Sequence, residues 1–365
     1  MDRRDFIRFT GAASAGLVLP GAVSEAFAQG AYGLSTAWKT YEITTRVEVL
    51  KPSGVTRIWL PTPLTQDTSY HRSLGNSWQA DGGAAAQYVD PKYGAGVVWA
   101  EFPEGAPAVL SLTSRFATRN IALDLSQRGT ARPEDPAVLA RFTAASDHMP
   151  TDGAVKEMAT SIVKGAGTDV EKASALYEWI VENTYRDPKT RGCGLGDVKS
   201  MVENKTYGGK CADLNALYVA LARSVGLPAR DVYGVRVAGS ALGYGSLGKA
   251  GGDITKAQHC RAEVYLESHG WVPVDPADVR KVILEEGGGK KPDDPMVLAA
   301  RKRLFGSWEM NWLAFNMAND VQLPRARKGK LAFFMYPQAE TAEGRIDSLD
   351  PDNFKYAIGS KEIVA

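Results

Sequence analysis

Cysteine is scarce in this chain. Three residues in 365 exclude a disulfide-stapled scaffold, so an apolar core has to carry the stability and each thiol needs its own explanation. Excess charge of either sign is missing as well. Forty-three basic residues against 42 acidic ones leave +1, which gives neither the electrostatic footprint of a nucleic-acid binder nor a polybasic address to anionic lipid. Internal repeats are absent, and a Gly-Gly-Gly-Lys-Lys-Pro stretch after 286 is the only low-complexity tract. What is present, 44% hydrophobic and 23% charged residues, describes a soluble globular chain long enough for two domains.

Residues 2–8 hold a twin-arginine pair, Arg3-Arg4, followed by Phe6-Ile7, and a mildly apolar stretch runs over 9–19. That stretch is too short to span a bilayer. The segment resembles a twin-arginine export signal. Ala26-Phe27-Ala28 supplies a small-x-small cleavage site, so a signal over 1–28 and a mature chain starting at Gln29, periplasmic or secreted, are expected. Proteins with such signals are exported already folded, which requires the site to form in a reducing cytoplasm without a disulfide.

From Tyr41 the apolar residues Ile43, Val47 and Val49 alternate with Glu42, Arg46 and Glu48, the period of a half-buried strand. Further short strands over 55–60, 97–102 and 109–116 lie between Pro- and Gly-containing turn clusters. An antiparallel, sandwich-like β domain over 35–125 follows from this. The pattern then turns helical. Asp135-Pro136 opens one helix. Thr168 and Glu171 have capping-box spacing, and Ala173, Leu176, Tyr177, Ile180 and Val181 repeat on one helical face. A third helix begins near Cys211, buries Leu214, Leu217, Tyr218, Leu221 and Val225, and ends at Gly226 and Pro228. A strand over 231–237, a glycine-rich loop over 239–252, and a hairpin of strands at 259–266 and 271–275 come next. Helices followed by a sheet give the α+β class, with a core over 134–280 and an extension over 281–365. In that extension Trp308, Trp312 and Phe315 read as a helical stretch, with the tryptophans in the core.

Cys211 follows Gly208-Gly209 at a helix start, where unpaired N–H groups and the helix dipole favour a thiolate. Its own N–H points where an oxyanion would form during attack on a carbonyl. A small apolar residue in the first turn of a core helix would explain the position equally well. His259 opens a strand whose alternation sets His259, Arg261, Glu263 and Tyr265 on one face and Cys260, Ala262, Val264 and Leu266 on the other. Asp275 lies sixteen residues on, with Glu267 midway at the turn, so the hairpin brings it back opposite His259. A carboxylate there fixes the imidazole's tautomer while its other nitrogen takes the thiol proton.

Tyr207-Gly208-Gly209-Lys210-Cys211, Gly226-Leu227-Pro228-Ala229-Arg230, the strand from His259 to Tyr265, and Gly270-Trp271-Val272-Pro273-Val274-Asp275-Pro276 closely resemble the core of the transglutaminase-like superfamily. Ala175 to Ile180 with Tyr185 resemble its upstream helix. The resemblance covers 170–280, and more weakly the β domain and tail resemble exported bacterial members. It implies a papain-like α+β core without metal or organic cofactor, with Cys211 as nucleophile, His259 as general base and acid, and Asp275 as orienting partner. The second oxyanion donor of the animal enzymes has no single counterpart here: Tyr185, Asn204 and Tyr207 are the candidates. No acidic run resembles their calcium sites.

Other motifs carry less. The loop 243–249 nearly fits a phosphate-binding loop, but Ala250 stands where a Ser or Thr should hold magnesium. Cys193, Cys211, His259 and Cys260 are zinc-type ligands, yet His259 and Cys260 sit on opposite faces of their strand. Cys193 and Cys260 are a conceivable pair after export. His71, His148 and His269 fall in expected loops and read as solvated. The expected function is amide acyl transfer through a thioester, with a peptide or protein substrate and no nucleic-acid or membrane partner. Peptide hydrolysis comes first, because the loop 239–252 offers the cleft mainly glycines, with Tyr244 its one aromatic, and should admit water. Amine transfer to glutamine at the same site and a catalytically idle binding protein are the alternatives.

Overall fold

A computed structural model of the protein describes residues 33–249 and 251–364; the export signal expected over 1–28 lies outside the described residues. The chain begins with strands β1 (Lys39–Val49), β2 (Thr56–Pro61), β3 (His71–Ala80), β4 (Ala84–Val89), β5 (Gly96–Phe102) and β6 (Ala108–Thr118). Helices α1 (Pro136–Arg141), α2 (Gly153–Ile162), α3 (Asp169–Asn183), α4 (Val198–Glu203) and α5 (Cys211–Ser224) follow. Strands β7 (Ala229–Arg236), β8 (Gln258–Leu266) and β9 (Gly270–Val274) precede helices α6 (Pro276–Glu285) and α7 (Pro295–Arg303). Among the strands that follow, β10 (Trp312–Asn316), β11 (Gln338–Thr341), β12 (Gly344–Ile346) and β13 (Phe354–Ile363) join the larger sheets of an α+β architecture. No helix among the described residues is long and apolar enough to cross a membrane.

The early strands form two antiparallel sheets, ordered β13-β1-β6-β3 and β12-β11-β2-β5-β4. Alternation along β1 and β6 turns Val47, Val49, Leu110 and Leu112 toward Ile58, Leu60, Val98 and Phe102 of the facing sheet, one apolar layer between two sheets. Strands β3 and β4 escaped sequence detection because few of their side chains are buried, so neither shows a strong two-residue period.

The chain after 280 is woven into what precedes it. Strand β13 covers β1, β11 pairs with β2, and β10 pairs with β7. The helical stretch expected around Trp308 and Trp312 is absent: Ser307–Trp308 pairs with Ile121–Ala122, and Trp312 opens β10. Aromatic residues fit the pleated surface at least as well as a helix, and the tryptophans are buried as expected. His71 is a second correction. It opens β3 and is only 1% exposed, its ring stacked on Phe116 at 5.9 Å.

The site is positioned by α5 lying against the sheet β9-β8-β7-β10. All fourteen residues of α5 are buried, Leu214, Leu217 and Leu221 sharing one core with Cys260, Ala262 and Val264 of β8. Gly226, at φ +84°, stops the helix where a left-handed residue is needed. On the far face of the sheet, Val235, Leu313 and Phe315 pack against Tyr41, Phe116 and Ile358, which locks the sandwich to the core.

Candidate active site

Cys211 occupies the first position of α5, so its backbone N–H has no intrahelical acceptor. Asp213, two residues on, ties this helix start to the preceding loop. Its carboxylate accepts from the N–H groups of Lys210 (3.0 Å), Leu195 (2.9 Å) and Gly196 (3.0 Å). Glycine is required around it: a Cβ on Gly194, at φ +96°, would lie 1.8 Å from Asp213 Oδ2.

The three candidate residues come together. His259 Nε2 and Asp275 Oδ2 are 2.8 Å apart, which leaves Nδ1 to exchange a proton with the Cys211 sulfur. Both side chains are buried. The hairpin register differs from expectation: Ala262 pairs with Val274, so Asp275 falls level with Arg261 rather than His259. The contact survives because Asp275 is the N-cap of α6. Its Oδ1 accepts from the Asp278 N–H at 3.1 Å, and that turn carries Oδ2 across to the imidazole.

Several participants were not singled out in the sequence. Asn215, one turn below Cys211, donates to the Cys260 carbonyl (2.9 Å) and Asp275 Oδ1 (3.3 Å), so one side chain spans helix, strand and cap. Its i+4 spacing from Cys211 was the available signal. Asp278 Oδ1 lies 3.4 Å from His259 Nε2 and is held by the Arg236 guanidinium at 2.6 and 2.8 Å. His259, Asp275 and Asp278 are the only residues among those described that gather three metal-type ligand atoms; Arg236 already neutralises Asp278 there.

These neighbours set the charge states. The neighbouring Cys193 and Cys260 thiols, then the nearby His259, hold the Cys211 thiol well below the ordinary thiol range against the opposing effect of burial. Cys193 is pushed up by the adjacent Cys211 and by burial, and Cys260 by burial first. All three cysteines are free. Burial and the Arg236 charge pull His259 down, but Asp278 and Asp275 outweigh them and leave its pKa above the ordinary 6.5. Burial and the Asp278 charge raise Asp275, opposed by His259 and Arg261.

Cys211 and His259 open onto a cleft of about 690 Å3. None of the three oxyanion-donor candidates lines it. Tyr185 is half exposed, Tyr207 packs edge-on against Trp179, and Asn204 caps the C-terminus of α4. The glycine-rich loop contributes only Gly248 and Lys249, while Tyr244 is buried, its hydroxyl donating to the Met296 carbonyl. The wall comes instead from the C-terminal strands and their loops, through Tyr336, Leu349, Phe354 and Tyr356. The rest of the lining is strongly basic. Arg186, Arg191, Arg236 and Lys281 each have a carboxylate partner, in Glu285, Asp347, Asp278 and Glu285, and of these pairs Arg236 with Asp278 is buried. Lys210, Lys249, Lys256 and Lys355 make no ion pair within 4 Å among the described residues. No carboxylate lies among the described residues that line the cleft.

A buried thiolate at a helix start, an imidazole and a carboxylate in sequence can form and resolve a thioester. Comparison with known proteins gives the family and the fold. The family model of the transglutaminase-like superfamily matches residues 156–276. A Haemophilus influenzae protein of uncharacterised function is 34% identical over 343 residues, 88% of this chain and 91% of its own. A crystal structure described as a candidate cysteine protease from Cytophaga hutchinsonii shares the fold, with a TM-score of 0.51 and 17% identity over 89% of this chain and 98% of that one. The chain belongs to the transglutaminase-like superfamily.

Proposed function

We propose that the protein is an exported cysteine hydrolase that cleaves a peptide amide through a thioester on Cys211. The Cys211 thiolate attacks the amide carbonyl, forming a C–S bond, and the carbonyl oxygen takes up the negative charge beside the Cys211 N–H. His259, protonated and steadied by Asp275, gives its proton to the leaving nitrogen as the C–N bond breaks. Water then attacks the thioester, His259 accepts its proton, and the acid product leaves as the thiolate returns. The observation that carries this reading is the His259 to Asp275 contact at 2.8 Å beside a depressed Cys211 thiol at the mouth of an open cleft. Export rests on the Arg3-Arg4 segment.

The cleft's basic lining favours water over an amine as the second nucleophile, because a lysine ammonium approaching Lys210, Lys256 and Lys355 meets like charge. One observation favours amine transfer instead: the aromatic wall of Tyr336, Phe354 and Tyr356 is the kind of surface that shields a thioester from water. Direct competition separates the two. The mature protein and Cys211→Ala are incubated with a peptide mixture and a fluorescent primary amine at millimolar concentration, and labelled glutamines are counted against new peptide termini. New termini that need Cys211 support hydrolysis. Amine incorporation without new termini replaces it with the transferase reading.

A further inference from the structure

We infer that the cleft selects an acidic peptide, one whose carboxylates flank the carbonyl presented to Cys211; this rests on the hydrolase reading and gives it a substrate class. A chain of net charge +1 has no general reason to concentrate cations, yet the described lining of this cleft holds eight basic side chains and no carboxylate. The arrangement has two tiers. Arg186 and Arg236, close to the reacting groups, are buried or nearly so and are neutralised by Glu285 and Asp278, which fixes the frame without demanding a ligand. Lys210, Lys249, Lys256 and Lys355 line the same cleft with no ion-pair partner within 4 Å among the described residues.

Their surroundings do not quench them. Asp253 influences Lys249 and Lys256 at a distance but lies outside the lining and beyond 4 Å of either. Glu48 is level with Lys355 across β1 and β13, and its carboxylate pairs with Arg46 at 2.9 Å. The four lysines come from three separate parts of the chain: Lys210 from the turn before α5, Lys249 and Lys256 from the segment before β8, and Lys355 from β13. Cations from segments distant in sequence therefore converge on one cleft. Charge is what the lining offers a carboxylate, because its neutral donors are engaged: Ser348 donates to the Pro337 carbonyl at 2.6 Å and the Gln258 amide to the Thr255 carbonyl at 3.0 Å.

The geometry fits a chain that runs across the mouth of α5. With its reacting carbonyl at Cys211, its side-chain or terminal carboxylates share the space lined by Lys210, Lys256 and Lys355. Exposed cations of this kind act through long-range attraction, so their effect is strongest at low ionic strength and is screened as salt rises.

The test reads binding without requiring turnover. Cys211 is alkylated with limiting iodoacetamide, a neutral reagent, in the presence of peptides of one length that carry Glu, or Gln in its place, around a central glutamine. Each peptide is made with a free and with an amidated C-terminus. The Glu peptides should protect Cys211 at concentrations roughly tenfold lower than the Gln peptides at low salt, and the advantage should shrink in 0.5 M NaCl. Lys256→Gln with Lys355→Gln, both exposed positions, should remove most of it, with protection in each protein expressed relative to its own unprotected alkylation rate. Protection that follows the free C-terminus rather than Glu assigns the selectivity to a terminal carboxylate and supports the same proposal. Equal protection by Glu, Gln, free and amidated peptides overturns it, as does a preference that survives the double lysine variant. Acidic peptides that protect Cys211 but are never cleaved or aminolysed remove the hydrolase reading and leave the anion selectivity standing.

Discussion

His71 makes the fold acid-sensitive by an amount that can be worked out. Its ring is buried at the start of β3, stacked on Phe116, and neither ring nitrogen has a hydrogen-bond partner among the described residues. Burial pulls its pKa from 6.5 down to about 3. In the unfolded chain the imidazole binds a proton below about pH 6.5, whereas the folded protein resists until about pH 3. Stability therefore falls as pH drops through this window. Each pH unit inside it costs about 1.4 kcal/mol, so roughly 2 kcal/mol is lost by pH 5 and roughly 4 to 5 kcal/mol once pH 3 is reached. Other groups titrate in the same range. Asp231 is raised by burial to about 7, so its protonation in the folded state strengthens the fold on acidification and partly masks His71. The difference between two proteins cancels that background. Urea unfolding of wild type and His71→Leu, followed by far-ultraviolet circular dichroism at pH 7.5, 6 and 5, should show the variant gaining about 2 kcal/mol on wild type across the series. Parallel stability curves would mean that His71 is solvated or partnered in solution, and the argument from its burial would fall.

The site makes further predictions. A brief, limiting iodoacetamide pulse at neutral pH should label Cys211 ahead of Cys193 and Cys260, whose thiols are pushed up; preferential labelling of Cys193 on mass spectrometry would count against the nucleophile assignment. Activity should be bell-shaped in pH, with an acid limb below the ordinary thiol range as Cys211 is protonated and an alkaline limb above 6.5 as His259 loses its proton. Asp278→Asn should move the alkaline limb to lower pH, because it removes a carboxylate that raises His259 and leaves Arg236, which lowers it; an unmoved limb refutes that role. His259→Ala should cost more activity than Asp275→Ala, each on the order of 10²-fold or more, with circular dichroism checking that loss of the α6 cap has not unfolded the second.

How much of this was legible follows from how local each signal was. The start of α5 is written in five consecutive residues, and the capping box of α3 is present as its spacing requires, Thr168 accepting from the Glu171 N–H while Glu171 reaches back. The hairpin from His259 to Asp275 is also local, although its turn shifts the register and the N-cap geometry of Asp275 supplies what the register does not. Interactions between segments far apart in sequence were invisible. Tyr336, Phe354 and Tyr356 wall the cleft only because β11 and β13 return to strands nearly three hundred residues earlier. His71 looked like a loop residue because β3, mostly exposed beyond its first position, shows no alternation. Arg236 and Asp278 sit on different elements and mean little until they meet.

Their meeting explains how the buried site tolerates so much charge. With the proton on Cys211, the site holds two anions, Asp275 and Asp278, against two cations, Arg236 and Arg261, the latter 3.9 Å from Asp275. Moving that proton to His259 adds one anion and one cation together. The local charge sums to zero in both states, so activating the thiol does not bury an uncompensated charge, the event that costs most in a low-dielectric interior. Asp275 alone could not achieve this. Paired only with His259, it would leave the two guanidiniums as an excess of buried positive charge, which would oppose protonation of the imidazole. Asp278, pulled below the ordinary carboxylate range by Arg236 and His259, removes that excess. The ion pair of Cys211 and His259 is therefore a property of six side chains, and two of them, Arg236 and Asp278, join the others only once the chain is folded.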